Sequence, residues 1–302
     1  MRPETQAVLK EVAALLPVPL AELTPSEARR AVYDAFARFM PPPPAGVLFA
    51  RGIVDGPHGE IPVITVDPPV RWGGTAVWLH GGGWIVGSAD LVAPLAAVLA
   101  NEIGIRVVVV DYRRAPEHGW PVAIDEAEAV ASSLDTEPLA LVGESSGGLL
   151  AACAAARLAN RLTAHVLLNP ALDPAMDTPS HAAFSDASDL PHADMEYFWR
   201  SWLGDEPPDD PLVRIVPDLS PAIVVTCEVD PLRDEGERHV TALRDAGVPV
   251  SHRRIMGQPH SLFWLAGRLP EGHQALRWAA HALRRRLGEA GLDPFTGRRD
   301  TR

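Results

Sequence analysis

The chain is poor in cysteine, and this scarcity limits what can hold it together. Only Cys153 and Cys227 occur among 302 residues, each inside an apolar run, without a CxxC pair or a metal-ligand spacing. Neither a disulfide framework nor a cysteine metal site is therefore expected. Two buried free thiols are expected instead, and they fit a protein of the reducing cytoplasm.

Positive charge and long apolar runs are also scarce. Lysine and arginine number 27 against 39 aspartates and glutamates, which gives a net charge of −12 without a basic stripe. Nucleic-acid binding needs such a stripe, so no nucleic-acid partner is expected. The N-terminal stretch holds early acidic residues and the breaks Pro17 and Pro19, which do not fit a signal peptide. No uninterrupted apolar run is long enough to cross a bilayer, so no membrane partner is expected.

What the chain does have is a regular alternation of strand-like and helix-like segments. The run IRVVVVDYR is continuous and β-branched, as in strands that are buried on both faces. The other predicted strands are GEIPVITVDPP, GGTAVWLH, LALVG, 164–169, 222–228 and 250–256, with helices near 90–102, 122–134, 146–160, 234–246 and 271–288. This alternation predicts an α/β fold with a doubly wound, mostly parallel sheet.

Two segments lie outside this alternation. Residues 1–40 carry helical periodicity in two parts, the second capped near Thr24 or Ser26, and with the prolines that end them they form a predicted N-terminal segment over 1–45. Residues 181–212 contain the aromatic EYFWRSWL and the proline-rich DEPPDDP, so we interpret them as an insertion over the sheet. The remaining chain divides into a core over 46–180 and 213–290 and a frayed C-terminal tail over 291–302.

Residues 143–147 read Gly-Glu-Ser-Ser-Gly and match the G-x-S-x-G nucleophile elbow. The serine of such a turn adopts a strained backbone conformation between a strand and a helix, and the glycines on either side avoid Cβ clashes. The strand-like LALV before the motif and the helix-forming LLAACAAARLA after it supply that context. Ser145 is therefore the predicted nucleophile, and an ordinary glycine-serine loop is the alternative.

A serine hydroxyl also needs an oxyanion hole, a base and an acid. The sequence HGGGW at 80–84 follows the TAVWL strand, and its glycine amides are free to face a developing oxyanion. We predict that the amides of Gly82, Gly83 and Ser146 form the hole, with Gly81 able to replace one of them. A plain glycine turn is the alternative.

The acid and the base are expected after the serine, at the ends of later strands. Asp230 comes directly after the strand AIVVTCEV, and His260 lies in a loop between HRRIM and the last helix. Glu228 is a rival acid, although it falls inside the strand. Asp234 is expected to support the loop by capping the following helix.

Together these motifs resemble the bacterial hormone-sensitive-lipase family of α/β-hydrolases. The matching stretches are HGGGW at 80–84, DYRRAPEH at 111–118, GESSGG at 143–148, DPLRDEG at 230–236 and the loop of His260. The resemblance implies an α/β-hydrolase fold with Ser145, Asp230 and His260 as its catalytic triad. It also implies a helical cap made by the N-terminal helices and the 181–212 insertion.

The chain departs from that family within the elbow. The family more often has GDSAGG or GTSAGG, so Glu144 and the side chain of Ser146 are unusual, and whether they tune the site or pack beneath it stays open. The stretch DYRRAPEH is expected to be structural, with Asp111, Arg113 and Glu117 forming a buried charge network behind the site.

Four side chains are candidates for contact with the substrate: Trp84, Phe198, Trp202 and Leu262. Trp84 is expected to form a wall of the acyl pocket because it adjoins the oxyanion loop. Phe198 and Trp202 either touch the substrate or form the core of the cap. Leu262 lies at the expected pocket rim, in an SLF stretch where the family often has a glycine.

The predicted function is a serine carboxylesterase that hydrolyses short- to medium-chain acyl esters without a cofactor or a metal. Its partner is a small-molecule acyl ester, and a homodimer through an edge strand is compatible with the fold. The main alternative is a dedicated deacetylase of a specialised metabolite, acting on an ester or an amide. A non-catalytic binding protein or a lyase is disfavoured, because all three triad candidates and the HGGG loop are present.

Overall fold

Eight strands form one sheet at the centre of the computed structural model, which describes residues 1–184, 189–204 and 212–289. In chain order the strands are β1 Leu48–Gly56, β2 Gly59–Asp67, β3 Thr75–Leu79, β4 Arg106–Val110, β5 Leu139–Glu144, β6 Ala164–Leu168, β7 Ala222–Val229 and β8 Val250–Pro259. Their order across the sheet is β1-β2-β4-β3-β5-β6-β7-β8, and all neighbouring pairs from β4 to β8 are parallel. The predicted doubly wound, mostly parallel sheet is confirmed.

Helices cover both faces of this sheet. In chain order they are α1 Pro3–Leu15, α2 Pro25–Phe36, α3 Ala89–Ile103, α4 Val122–Ser133, α5 Ser146–Arg157, α6 Pro179–Phe184, α7 His192–Leu203, α8 Arg233–Asp245 and α9 Pro270–Glu289. Helix α3 packs on α9 and α4 packs on α5, so that β3, β5 and β6 consist of buried residues throughout. Because parallel strands share one polarity, the carboxyl ends of β3, β5, β6, β7 and β8 meet at one edge of the sheet.

The opposite side of the sheet differs from the sequence prediction. Strand β1 pairs antiparallel with β2 across a tight turn at Pro57 and His58, and β2 is also antiparallel to β4. The side chains of β1 are mostly exposed, with Leu48 and Ile53 among them. The sequence does not predict β1, because an edge strand exposed on both faces lacks the alternation of buried and exposed residues.

The N-terminal segment folds as two helices that lie against the core. Helix α2 begins with a capping box in which Thr24 and Glu27 each accept the main-chain amide of the other, as the sequence predicts for Thr24. The guanidinium of Arg29 donates to the carbonyl oxygens of Ile85 at 2.8 Å and Ala115 at 2.9 Å. These two bonds fix α2 to the loops that follow β3 and β4.

Aromatic rings connect α7 to the loops beside it. The indole of Trp202 in α7 stacks on that of Trp84, with ring centroids 4.4 Å apart and planes 9° apart. Trp199 packs on Trp84 at 4.3 Å, and Trp120 meets Trp202 edge-on at 5.6 Å. Four of the eight tryptophans therefore join α7 to the loops beside it.

We refer to residues 1–40, 179–184 and 189–204 as the cap segments, because they border the cavity described below. The predicted boundaries between cap and core stay predictions. The stretch DEPPDDP and the tail over 291–302 lie outside the described residues. None of the helices in the described ranges combines the length and the apolar character that a bilayer crossing requires.

Candidate active site

Ser145 lies in a sharp turn between β5 and α5, with φ 54° and ψ −120°. A positive φ is unfavourable for a residue with a side chain, so the surroundings must hold the turn. The amide of Ser145 donates to the carbonyl oxygen of Leu168 at 2.8 Å. A Cβ on Gly143 would overlap the main chain of Gly147, and a Cβ on Gly147 would overlap that of Leu79. The spacing of the two glycines in the motif thus follows from close backbone approach.

Two further side chains reach Ser145 from the ends of β7 and β8. The Nε2 atom of His260 lies 2.9 Å from Oγ of Ser145, and Nδ1 of the same ring lies 2.9 Å from Oδ2 of Asp230. The other oxygen of Asp230 accepts the amide of Leu232 at 2.9 Å. All three side chains are buried. The structure therefore brings the proposed nucleophile, base and acid into one hydrogen-bonded chain.

The electrostatic surroundings of His260 favour its cationic form. Burial by itself would lower the pKa of the imidazole, but the charge and the hydrogen bond of Asp230 oppose it, and the charges of Asp189 and Glu144 add to them. The pKa of His260 is raised to about 9 as a result. An imidazole that takes a proton from the serine is stabilised by these carboxylates.

The main chain of His260 is held from two sides by residues that the sequence motifs do not include. The side-chain amide of Asn169, directly after β6, donates to the carbonyl oxygen of His260 at 2.8 Å. The carboxylate of Asp189, shortly before α7, accepts the amide of His260 at 3.1 Å and that of Ser261 at 2.8 Å. No local pattern marks either residue, because both act across long stretches of chain.

Three main-chain amides beside Ser145 are available to a ligand. Gly82, Gly83 and Ser146 all border the same cavity as Ser145, and within the described ranges their amides donate to no protein acceptor. Gly81 differs, because its amide donates to Oε2 of Glu144 at 3.0 Å. The prediction that Gly81 can replace one of the donors is therefore wrong.

The first residue of the HGGG loop braces the loop from behind. The ring of His80 stacks on that of Tyr112, with centroids 4.1 Å apart, and the Tyr112 hydroxyl donates to the carbonyl oxygen of His80 at 2.8 Å. Burial lowers the pKa of His80 to about 4, although Asp111 opposes the shift. The neutral ring therefore donates from Nδ1 to the carbonyl oxygen of Gly81 at 2.8 Å.

Glu144, the unusual residue of the elbow, is buried against the HGGG loop at 80–83. Its Oε2 atom accepts both the amide of Gly81 and the indole N–H of Trp264, the latter at 2.9 Å. Burial raises the pKa of Glu144 to about 7, against the lowering effect of His260 and of the two hydrogen bonds. Glu144 thus connects the elbow, the glycine loop and the segment after His260. Trp264 is a site residue that the sequence interpretation misses.

A cavity of about 1110 Å³ lies between the core and the cap segments, and Ser145 and His260 border it. Helix α1 contributes apolar side chains such as Leu9 and Val12, and α7 contributes Phe198. The ring of Phe198 lies directly against Gly83 of the oxyanion loop. The cavity therefore offers an apolar space beside the reacting hydroxyl.

Two of the four predicted substrate contacts are placed elsewhere. Trp84 and Phe198 border the cavity, but Trp202 and Leu262 do not. Trp202 is 1% exposed and stacks behind Trp84, while Leu262 is wholly buried. The prediction for Trp202 and Leu262 is wrong, because both side chains fill the packing behind the cavity wall.

The DYRRAPEH stretch is structural, but it does not form one charge network. Asp111 accepts an amide at the start of α3 at 3.1 Å, and Arg113 pairs with the buried Glu126. Glu117 pairs with Arg29 of α2, and its side chain is 50% exposed. The predicted single buried network is wrong, because the three charges find separate partners on different elements.

Two other acidic residues of the sequence interpretation have structural partners. Glu228 lies within β7 and accepts the amide of Gly257 at 2.6 Å, whereas Asp230 is the carboxylate that meets His260. Asp234 does not cap α8 as expected. It accepts the amide of Ser180 at 2.8 Å, at the start of α6.

The cysteines are both free and buried, which confirms the prediction of two buried free thiols. Across the described ranges, no group of three or more His, Cys, Asp or Glu side chains is arranged to hold a metal ion.

Comparison with known proteins places this geometry in a family. A family model described as the alpha/beta hydrolase fold matches residues 76–264. Ethyl acetate hydrolase of Pseudomonas putida is 32% identical over 245 residues, covering 73% of this chain and 76% of that protein. Carboxylic ester hydrolase LipN of Mycobacterium tuberculosis is 33% identical over 287 residues, covering 84% of this chain and 76% of that protein.

A solved structure agrees over nearly the whole length. The hyperthermophilic esterase of the archaeon Pyrobaculum calidifontis superposes with a TM-score of 0.86 at 28% identity, over 94% of this chain and 98% of that one. The match of the family model covers more than half of the 302 residues, and both curated relatives exceed 30% identity over most of their own length. The chain therefore belongs to the α/β-hydrolase family, among the carboxylic ester hydrolases that resemble hormone-sensitive lipase.

Proposed function

We propose that the protein hydrolyses short- to medium-chain acyl esters through an acyl-enzyme on Ser145. The observation that carries this proposal is the pair of 2.9 Å contacts that link Ser145, His260 and Asp230 at the edge of a cavity. The family supports the reaction class, and the name of the relative from Pseudomonas putida, ethyl acetate hydrolase, specifies a short acyl ester.

The reaction begins with a proton transfer inside the hydrogen-bonded chain. His260 takes the hydroxyl proton of Ser145 while Oγ attacks the ester carbonyl, and Asp230 orients the imidazole and stabilises its charge. The tetrahedral intermediate collapses when His260 passes that proton to the leaving alcohol. A water molecule then gives its proton to His260 while its oxygen attacks the acyl carbonyl. The second tetrahedral intermediate collapses when His260 passes that proton to Oγ of Ser145, which restores the serine and releases the acid.

The oxyanion of each tetrahedral intermediate is held by main-chain amides. We assign this role to Gly82, Gly83 and Ser146, whose amides border the cavity and have no protein acceptor in the described ranges. Ser146 is the first residue of α5, so the positive end of the helix dipole adds to its amide. Each donor should contribute about 3 kcal/mol to lowering the barrier.

Specificity is assigned to the apolar cavity between core and cap. Trp84 and Phe198 border it, as do Gly82 and Gly83 of the oxyanion loop, and α1 supplies further apolar lining. At about 1110 Å³ the cavity is larger than a simple acetate ester needs. This volume also favours a second candidate, a deacetylase whose substrate joins a small acetyl group to a bulky alcohol.

An organophosphate such as paraoxon tests the proposed function directly. We expect one phosphoryl group on Ser145, none on Ser146, and loss of p-nitrophenyl butyrate hydrolysis in proportion to labelling, read by peptide mass spectrometry. The variant Ser145→Ala is the unlabelled control. Activity that persists in fully labelled protein, or a label on another residue, would overturn the proposal. The rates of hydrolysis of p-nitrophenyl acetate, butyrate and octanoate vary the acyl chain, and the rate on 1-naphthyl acetate varies the alcohol. A comparison of the two series separates the esterase from the deacetylase.

The reducing cytoplasm and the homodimer also remain proposals. Cys153 and Cys227 are free and buried, which supports a compartment where thiols stay reduced. Strand β1 exposes Leu48 and Ile53 at the sheet edge, which would support pairing of two copies there. Sedimentation of the protein over a range of concentrations measures the oligomeric state.

A further inference from the structure

A carboxylate from the insertion contacts the main chain of the catalytic base. Asp189 lies just before α7, and its two oxygens accept the amides of His260 at 3.1 Å and Ser261 at 2.8 Å. These are the first two amides of the short 3-10 turn His260–Leu262, which has no side-chain cap of its own. Amides at the start of a helical turn need an acceptor, and an uncompensated buried amide is costly.

The sheet by itself does not fix this turn. Strand β8 pairs regularly with β7 up to Ile255, and the register then shifts before Pro259 pairs with Val229. The end of β8 is therefore held by side chains, since Glu228 accepts the amide of Gly257 and Thr5 of α1 donates to Gln258 at 3.3 Å. The segment that carries the base thus depends on contacts from outside its own ladder.

The base is consequently anchored at three points from three different elements. Asp230 holds the ring, Asn169 holds the carbonyl oxygen, and Asp189 holds the amide. Asp230 and Asn169 belong to the core, at the ends of β7 and β6, whereas Asp189 belongs to a cap segment. Removing Asp189 leaves the main chain of His260 fixed on one side only. Displacements of about 1 Å at a reacting group are enough to slow catalysis about 100-fold.

Asp189 also brings charge to the base. Three carboxylates act on the imidazole of His260: Asp230 in direct contact, with Asp189 and Glu144 farther away, and all three favour the protonated ring against the effect of burial. Asp189 borders the same cavity as Ser145.

We propose that Asp189 is a positioning residue for the catalytic base, through which the cap segment holds the main chain of His260 in line with Ser145. This inference rests on the proposed function, since it gives His260 the role of base. By this proposal the cap segments support proton transfer as well as shape the cavity.

The test compares Asp189→Asn and Asp189→Ala with wild type in the pH dependence of kcat/KM for p-nitrophenyl butyrate. Loss of a negative charge near the imidazolium lowers the pKa of His260, so the acidic limb of the profile should move to lower pH by about half a unit or more. On the plateau we expect kcat/KM to fall about 10- to 100-fold, because the ring is less well aligned. Asparagine retains one hydrogen-bond acceptor and the shape of the side chain, so kcat/KM should fall less in Asp189→Asn than in Asp189→Ala.

The matched control is Asp177→Asn, the same change at an exposed residue that makes no hydrogen bond or ion pair within the described ranges. Its rate and its acidic limb should match those of wild type. Thermal melting of each variant separates stability from catalysis, and Asp189→Asn decides the matter if the alanine variant does not fold. An acidic limb that stays at the wild-type pH in folded Asp189→Asn overturns the proposal, whatever its melting temperature.

The two proposals fail in different ways. If Ser145→Ala and paraoxon leave ester hydrolysis intact, the proposed function itself is wrong. If both abolish hydrolysis while Asp189→Asn leaves the acidic limb unmoved, only the role of Asp189 is wrong.

Discussion

Different interactions stabilise the carboxyl edge of the sheet and the packing of α7 on the core. At the sheet edge, short directional hydrogen bonds link Ser145, His260 and Asp230, and Glu144 accepts two donors at once. Between α7 and the loops beside it, indole rings pack on one another, and the indole N–H groups of Trp199 and Trp202 find no acceptor within the described ranges. One region fixes positions of atoms, and the other fills space.

This difference explains how tightly each region constrains its residues. A hydrogen bond depends on distance and angle, so the replacement of a single donor or acceptor atom at the sheet edge weakens or removes a bond between the site residues. Apolar packing tolerates exchange of side chains when volume is preserved. We therefore expect changes among the hydrogen-bonded groups of the sheet edge, Asp189 included, to alter the rate or its pH dependence, and changes in the apolar packing of α7 to alter which ester is preferred.

The largest effect is expected for Ser145→Ala. Removal of the nucleophilic hydroxyl should lower kcat about 10⁵- to 10⁶-fold on p-nitrophenyl butyrate. The melting temperature should hardly change, because alanine keeps the Cβ that the elbow already accommodates. The companion variant Ser146→Ala keeps the main-chain amide and loses only the hydroxyl, so its loss of rate should be far smaller. Equal losses in the two variants would contradict the separate roles given to the two serines.

Glu144→Gln tests whether the carboxylate beneath the oxyanion loop couples stability to pH. Burial raises the pKa of Glu144 to about 7 from an ordinary value of 4.5, so the folded protein retains a proton that the unfolded chain has lost. The contribution of Glu144 to stability is therefore present below about pH 4.5 and is lost as the pH rises through about 7. Glutamine still accepts the donors of Gly81 and Trp264 but does not ionise.

The melting temperature of Glu144→Gln relative to wild type should consequently increase from about pH 5 to about pH 8. Calorimetry at the two pH values measures this difference. Glu196→Gln, the same change at an exposed position of α7, controls for the altered net charge. A difference between Glu144→Gln and wild type that stays constant over this range would exclude the buried carboxylate as its source.

The smallest effect is expected for Phe198→Ala, and it concerns preference more than rate. The ring of Phe198 borders the cavity and lies against Gly83, so its removal enlarges the space beside the oxyanion loop. The ratio of kcat/KM for p-nitrophenyl octanoate to that for acetate should rise about tenfold. Tyr197→Ala, which removes the neighbouring ring outside the cavity, should leave the ratio unchanged. If the octanoate-to-acetate ratio is unchanged in Phe198→Ala, the acyl chain does not bind beside Phe198.

The residues at the carboxyl edge of the sheet are easy to predict from the sequence, because steric constraints there require particular residues at fixed spacings. The glycines at 143 and 147 are spaced by a backbone approach that excludes any Cβ, and Asp230 follows a strand whose β-branched run is easy to identify. The parallel sheet follows from such runs. The hydrogen-bonded chain of three side chains could thus be anticipated from residue order alone.

Other parts could not be anticipated, because no local pattern encodes them. Asn169 and Asp189 reach the main chain of His260 from positions 91 and 71 residues away. Whether Trp202 faces the cavity or the packing behind it depends on the orientation of α7, which the run EYFWRSWL leaves open. Strand β1 escapes prediction since its exposed side chains carry no alternation.

The stack of Trp84 on Trp202 has a consequence for engineering by cap exchange. Trp84 belongs to the oxyanion loop of the core, while Trp202 belongs to the insertion, and their rings lie 4.4 Å apart. A chimera that replaced the insertion with that of another esterase would leave a core indole without its partner, next in sequence to the glycine amides for which we propose the oxyanion role. The insertion is therefore not an exchangeable module: a transplanted cap must bring a flat ring to the same place, or Trp84 must be redesigned with it.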